Sequence, residues 1–345
     1  MKRQHLPMAA LVLVASTAAC NEHPLKSTEY TWHQTCGESV SIAAERPNVM
    51  LVLDRSGTMT ADDKRWDHDG RAATAPVTRW SSLHGVTSDL LDRFDDRMHF
   101  GAVLFPSEDA GTSWAEACPT ADTADVAVGP RGAAQIMEML PGPDAVTRGG
   151  TPTQAGLLNA IDHLNDVESE VPRAIVLVTD GEANCVGDDP KAYDPGVPEV
   201  VSQARMDGVT TYLVGIDITG TDPNARDGEP RDPIADMNAI ARAGGAPKAG
   251  PEAFYNVSDE ASLATALDEI AAQVVCTVDV GAAPQDDAEM YVSIGDASVD
   301  EVASCSDGAG WVYVSAHRIR LCAEACDAFV AEGNLSTAYD CAPQF

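Results

Sequence analysis

Positive charge is what this chain has least of. Its 345 residues carry 22 Lys and Arg against 54 Asp and Glu, a formal net charge of -32. A surface of that sign repels phosphate backbones, which weighs against nucleic-acid binding, and it gives no electrostatic grip on anionic lipid. It does attract divalent cations. No stretch approaches the ~18 continuous apolar residues that a membrane-spanning helix needs, and no internal repeat is evident. The sequence also lacks the common catalytic signatures: no His-Glu-x-x-His, no Gly-x-Ser-x-Gly, no Gly-x-x-x-x-Gly-Lys. Its eight histidines (5, 23, 33, 68, 84, 99, 163 and 317) are scattered. The chain therefore reads as a binding protein and not as an enzyme.

What is present begins with an export signal. Lys2 and Arg3 form a basic start, Leu6 to Val14 is mostly apolar, and Ser16 to Ala19 are small. Thr17-Ala18-Ala19-Cys20 resembles the lipobox of bacterial lipoproteins, with Thr17 where that pattern has Leu, Val or Ile. The resemblance implies acylation of Cys20 and a lipid anchor as the sole contact with membrane. Asn21 in place of Asp points to the outer membrane. The alternative is cleavage after Ala18 or Ala19 and release as a periplasmic or secreted protein. Of the nine cysteines, eight remain once Cys20 is set aside: Cys36, Cys118, Cys185, Cys276, Cys305, Cys322, Cys326 and Cys341. That even number fits four disulfides in an oxidising compartment. Cys322 and Cys326 have zinc-ligand spacing, but no second compact pair accompanies them. Cys118 and Cys185, both in loops after strands, are placed to pair.

The length suits one full α/β domain and a smaller one. Residues 21–45 show no sustained periodicity and are expected to be a tether. From 46 to 275, short apolar runs alternate with amphipathic stretches: strands at Val49–Leu53, Phe100–Phe105, Val126–Val128, Ala174–Val178, Thr210–Gly215 and Phe254–Val257. Helices are expected over Ser81–Phe94, Ala133–Leu140, Gln154–Leu164, Val197–Met206, Ile234–Ala243 and Ala261–Val274. This alternation predicts a doubly wound, mostly parallel sheet with helices on both faces, and a ligand site at the carboxyl ends of its strands. Residues 276–345 hold five cysteines and two alternating stretches, Met290–Ile294 and Trp311–Leu321. They are expected to form a small disulfide-stapled module with β-strands.

Three fragments fall at the predicted ligand rim. Asp54-Arg55-Ser56-Gly57-Thr58 follows the first apolar strand. Gly149-Gly150-Thr151-Pro152-Thr153 precedes a helix, and Thr179-Asp180-Gly181 follows the fourth strand. They offer carboxylate and hydroxyl oxygens with no imidazole or thiolate, a donor set for Mg²⁺, Mn²⁺ or Ca²⁺ and not for zinc. Asp54, Ser56 and Thr58 alternate, and Gly57 is expected to allow the turn that aims them at one point. With two carboxylates and neutral hydroxyls, a bound ion keeps positive charge and attracts an outside acidic group. The only basic residues directly beside the fragments in sequence are Arg55 and Arg148.

These residues resemble the metal-ion-dependent adhesion site of the von Willebrand factor type A (VWA) family, Asp-x-Ser-x-Ser followed by a Thr and an Asp. Here the parts stand as Asp54/Ser56/Thr58, Thr151 and Asp180, with Thr58 in place of the second Ser. The resemblance covers about residues 46–275. It implies that Ser56, Thr58 and Thr151 touch the metal, that Asp54 and Asp180 act largely through water, and that a partner's Asp or Glu supplies the last ligand. It also favours a Cys36–Cys276 disulfide, because domains of this family often have their ends close. The last four cysteines leave three pairings open. Runner-up readings are an envelope structural protein with a stabilising metal and a metal-dependent hydrolase. The acidic loop 61–69 and the insertion Asp222–Asp232 read as solvated surface loops. The glycosylation sequons at Asn256 and Asn334 read as coincidental beside a signal of this type.

Overall fold

A computed structural model describes residues 36–340 except 114–115, 168–170, 187–188, 221–230, 282 and 284–287. The signal segment, Cys20, Cys341, residues 21–35 of the expected tether and most of the insertion after Asp222 lie outside the described residues. In chain order come β1 (Ser39–Ala43), β2 (Asn48–Asp54), α1 (Arg79–Phe94), β3 (His99–Phe105), β4 (Val126–Gly129), α2 (Gly132–Met139), α3 (Thr153–Asp166) and β5 (Arg173–Thr179). Then follow β6 (Asn184–Val186), β7 (Asp189–Tyr193), α4 (Val197–Met206), β8 (Val209–Ile216), α5 (Pro233–Ala243), β9 (Tyr255–Val257) and α6 (Glu260–Val275). The chain ends with β10 (Thr277–Asp279), β11 (Glu289–Ile294), β12 (Ala297–Val299), β13 (Gly310–Ser315), β14 (Arg318–Cys322), α7 (Glu324–Glu332) and β15 (Asn334–Asp340).

The main unit is the doubly wound sheet expected, in the order β4-β3-β2-β5-β8-β9. All neighbours run parallel except β4, which lies antiparallel on the edge beside β3. Every residue of β2 is buried, as a strand covered on both faces requires. Successive side chains of β2 enter opposite cores. Val49, Leu51 and Leu53 pack with α1, α2 and α6, whereas Met50 and Val52 pack with α3, α4 and α5. Among the described residues no helix is long and apolar enough to cross a membrane.

The smaller unit departs from expectation in one respect. Ser39–Ala43, assigned to the tether, is strand β1 and pairs antiparallel with β15 in a four-stranded sheet of order β1-β15-β11-β12. Its side chains alternate between exposed and half-buried, a pattern too weak to read as a strand without its partner. The main unit is thus inserted between β1 and β10. The alternating stretch at Trp311–Leu321 is a hairpin, β13 and β14, which joins β10 in a three-stranded sheet. Trp311, Phe329, Leu335 and Tyr339 fill the core between these elements.

The cysteines are corrected here as well. Cys276 is bonded to Cys326, not to Cys36, and Cys305 to Cys322. Because α6 runs directly into β10, Cys276 enters the small unit's core and meets α7. Cys36 is itself disulfide-bonded. Cys322 and Cys326 are therefore spent in separate disulfides, and no cluster of three metal-binding His, Cys, Asp or Glu residues occurs among the described residues. The small unit attaches at the amino end of the large sheet, where Arg318 donates to Thr210 Oγ1 at the start of β8 (3.2 Å).

Leu335 is fully buried in β15, between strands from the two ends of the chain. Leu335→Ala should cost about 2–5 kcal/mol, measured by urea unfolding. A loss well under 1 kcal/mol would mean that β1 and β15 do not share one consolidated core.

Candidate functional site

The carboxyl ends of β2 and β5 lie side by side, because the two strands pair in register through Leu53 and Val178. Asp54 closes β2 and Asp180 follows β5, so register alone brings the two carboxylates to one place. Asp54 is fully buried. Its Oδ1 accepts the Ser56 N–H (2.7 Å) and its Oδ2 accepts the Thr179 hydroxyl (2.6 Å). The Ser56 and Thr58 hydroxyls lie 2.9 Å apart, and Thr58 Oγ1 donates to Asp180 Oδ1 at 2.8 Å. Since the Thr58 proton goes to Asp180, Ser56 is the donor to Thr58. Four of the five expected residues thus form one connected cluster.

The fifth, Thr151, comes from the neighbouring loop. Gly57 N–H donates to the Gly149 carbonyl (3.2 Å), which brings that loop onto the Asp54–Thr58 turn. Thr147 adds a second tie through its hydroxyl to the Ser56 carbonyl (2.8 Å). The conformational demand falls on Gly149 and not, as expected, on Gly57. Gly149 has φ +95°, and a Cβ there would sit 2.6 Å from the Ala117 carbonyl, whereas a Cβ on Gly57 would meet nothing closer than 3.5 Å. Thr151 is buried, and its hydroxyl makes no hydrogen bond among the described residues.

A disulfide clasps this loop. Cys118 is bonded to Cys185, and each has a neighbour that holds Gly150-Thr151. Ala117 accepts from the Gly150 N–H (2.7 Å). Asn184 grips Thr151 from both sides: its backbone N–H donates to the Thr151 carbonyl (2.9 Å), and its Oδ1 accepts the Thr151 N–H (2.7 Å). Gly150 lies against the bridge, with space for no Cβ before Cys185 Sγ at 2.8 Å.

The cation at the site is neither of the two adjacent in sequence. Arg55 turns away and donates to the Pro106 carbonyl (2.6 Å), and Arg148 is exposed. Arg79, the first residue of α1 and 25 positions beyond Asp54, donates from one nitrogen to Asp180 Oδ2 (2.8 Å) and from the other to Asp217 Oδ2 (2.5 Å). Asp217 stands just after β8, so β2, β5 and β8 each end in an acid. Sequence reading missed Arg79, Asp217, Asn184 and Thr147. For Asp217 a signal existed, since it too is the polar residue closing an apolar run. For Arg79 only the fold supplies the connection. The Asp67 and Asp69 side chains accept backbone N–H groups of their own loop, which accounts for that acidic stretch.

Electrostatics show what the cluster lacks. Burial, and then the nearby Asp180 carboxylate, push the Asp54 carboxyl up to about 7, against partial relief from Thr179 and Ser56. No Lys or Arg contacts Asp54 among the described residues. A buried carboxylate without a cation, ringed by hydroxyls and with no soft ligand, fits a hard divalent ion.

With this geometry in hand, the chain can be placed: the von Willebrand factor type A domain family profile matches residues 48–270, and the protein belongs to that family. Similar solved structures include BatB from Bacteroides thetaiotaomicron, 17% identical over 66% of this chain and 99% of its own, TM-score 0.41. The pilus adhesin SpaC from Lactobacillus rhamnosus GG is 14% identical over 86% of this chain and 39% of its own, TM-score 0.48. A von Willebrand factor type A protein from Catenulispora acidiphila is 16% identical over 76% and 51%, TM-score 0.43. No relative was found among the curated proteins.

Asp54 generates a pH prediction for metal-free protein. Its folded value, about 7, exceeds the unfolded value of 3.8. The protonated form is thus favoured by folding, and its contribution is lost as pH rises from about 4 through about 7. Asp54→Asn removes this titration. In chelator, thermal unfolding should show wild type losing stability relative to Asp54→Asn between pH 5 and 8 by on the order of a few kcal/mol. Parallel profiles would refute the buried-carboxylate account.

Proposed function

We propose that this chain is an exported cell-envelope protein of the adhesion type, which binds one divalent cation at the rim and engages a partner's acidic group through it. The observation that carries this reading is the buried Asp54 carboxylate, which has no Lys or Arg in contact among the described residues and is held by the Ser56 N–H and the Thr179 hydroxyl. Ser56, Thr58 and Thr151 would hold the ion, with Asp54 and Asp180 as charged supports. The ion is Mg²⁺, with Mn²⁺ and Ca²⁺ as alternatives, and it supplies a positive centre open to an outside carboxylate.

The chain's own residues set the site up. Thr179 and the Ser56 N–H fix the Asp54 carboxylate, so its orientation is settled before any ion arrives. Thr58 does the same for Asp180. The Asn184 grip leaves the Thr151 backbone fully used and its hydroxyl free to turn to a ligand. No His lies in contact with these oxygens among the described residues, and we read the site as one of binding and not catalysis. The lipobox-like segment supports anchoring in the outer membrane through Cys20.

Calorimetric titration of Mg²⁺, Mn²⁺ and Ca²⁺ into chelator-stripped protein should show one saturable site, weakened roughly 10–100-fold by Asp54→Ala or Asp180→Ala. Proton competition at Asp54 makes binding tighter at pH 8 than at pH 6. Ion binding indifferent to both substitutions would end this reading. A large loss of thermal stability on chelation, without a carboxylate-bearing ligand that depends on the ion, would favour a purely stabilising metal.

A further inference from the structure

Arg79 occupies a position that local physics disfavours. Thr78 caps α1 by accepting the Ser81 N–H, which makes Arg79 the first residue of the helix, at its positive end. A cation there opposes the helix dipole, and this one is also buried, with 7% of its side chain exposed. Burial alone would lower its basicity, yet Asp180 and Asp217 hold it above the ordinary arginine range. The guanidinium is therefore fixed by those two carboxylates and by nothing from its own helix.

Asp180 is divided by this contact. Its Oδ1 faces the Thr58 hydroxyl and so the ion position, while its Oδ2 is bound to Arg79. Asp217, exposed, sits in left-handed backbone at φ +55°, held there by its N–H to the Val257 carbonyl (2.7 Å). It takes the other nitrogen of Arg79. Charge at the rim therefore runs from Asp54 through Asp180 and Arg79 to Asp217, with Arg79 lying on the side of Asp180 away from the hydroxyls.

We infer that Arg79 is the built-in counter-ion of the metal site: it draws on the Asp180 charge, so that a bound ion is held less tightly but keeps more of its own charge for an outside carboxylate. Asp217 tempers this by sharing the guanidinium. The inference rests on the metal-site reading above. Its physical basis is that a divalent ion and Arg79 compete for one carboxylate and repel each other across it, in a partly buried setting where screening is weak. The arrangement exchanges ion affinity for attraction of the acidic ligand.

The two substitutions that isolate these charges have opposite expected signs. Arg79→Gln should tighten Mn²⁺ binding roughly tenfold, and Arg79→Lys should stay near wild type. Asp217→Asn should weaken it several-fold, because Arg79 then bears on Asp180 alone. Asn is favoured in left-handed backbone, so this variant keeps the fold and decides the matter should Arg79→Gln unfold. Calorimetry on the full chain reads the affinities, with chelated thermal midpoints as the control for folding. Acetate titrated against Mn²⁺-loaded protein, followed by Mn²⁺ electron paramagnetic resonance, should bind wild type more tightly than Arg79→Gln. Wild type that binds Mn²⁺ while Arg79→Gln binds it no tighter, or Asp217→Asn binds it more tightly, overturns the inference. So does equal acetate binding by the two loaded proteins. Wild type that binds no ion sinks the metal-site reading itself, and this inference with it.

Discussion

Asp54 closes a central strand of a three-layer sandwich and has no exposed surface at all. Ionised and alone, such a group would cost several kcal/mol. The surroundings of Asp54 are arranged around that difficulty. One oxygen takes a backbone N–H and the other a hydroxyl, which lowers the penalty without cancelling it. The remaining deficit is of positive charge, and the Arg79 guanidinium is spent on the neighbouring acid instead. The turn after β2, the loop carrying Thr151 and the end of β5 then matter because they bring neutral oxygens to the place where a cation would relieve Asp54.

This constraint also explains why the second loop is so firmly held. A hydroxyl contributes to an ion only where its position is settled beforehand, since ordering a loose loop would consume the small gain of one neutral ligand. Gly149 and Gly150 let the backbone approach closely, but that freedom by itself would leave the loop mobile. The Cys118–Cys185 bridge, the Asn184 grip and the Thr147 tie remove the freedom again. The protein therefore combines residues that permit a tight approach with cross-links that make it rigid.

Much of this was legible in the sequence. Apolar runs ending in polar residues gave the strands, and the strand order implied by alternation placed Asp54, Ser56, Thr58 and Asp180 at one rim. What could not be read were relations that depend on the third dimension. Arg79 lies far along the chain from Asp180, and its role follows from α1 starting above β5 and β8. Ser39–Ala43 carries too weak an apolar pattern to identify a strand whose partner lies nearly three hundred residues on. The Cys36–Cys276 pairing failed for a related reason. It treated residues 46–275 as a closed unit with its own clamp, whereas α6 delivers Cys276 into the core of the next unit, where α7 presents Cys326.

The inserted topology gives the molecule two chemically distinct ends. At the amino ends of the parallel strands, both flanking segments of the chain meet in one small sheet stapled by disulfides. At the carboxyl ends, side-chain oxygens gather around a shortage of positive charge. A chain of net charge -32 repels an acidic partner once it comes within the ~8 Å over which physiological salt leaves charges largely unscreened. Any attraction of such a partner must therefore be short-ranged and concentrated at one point. A divalent ion would supply that only where its charge had not already been neutralised by its own ligands, and the counter-ion proposed on Asp180 would then bear on partner recognition as much as on the metal.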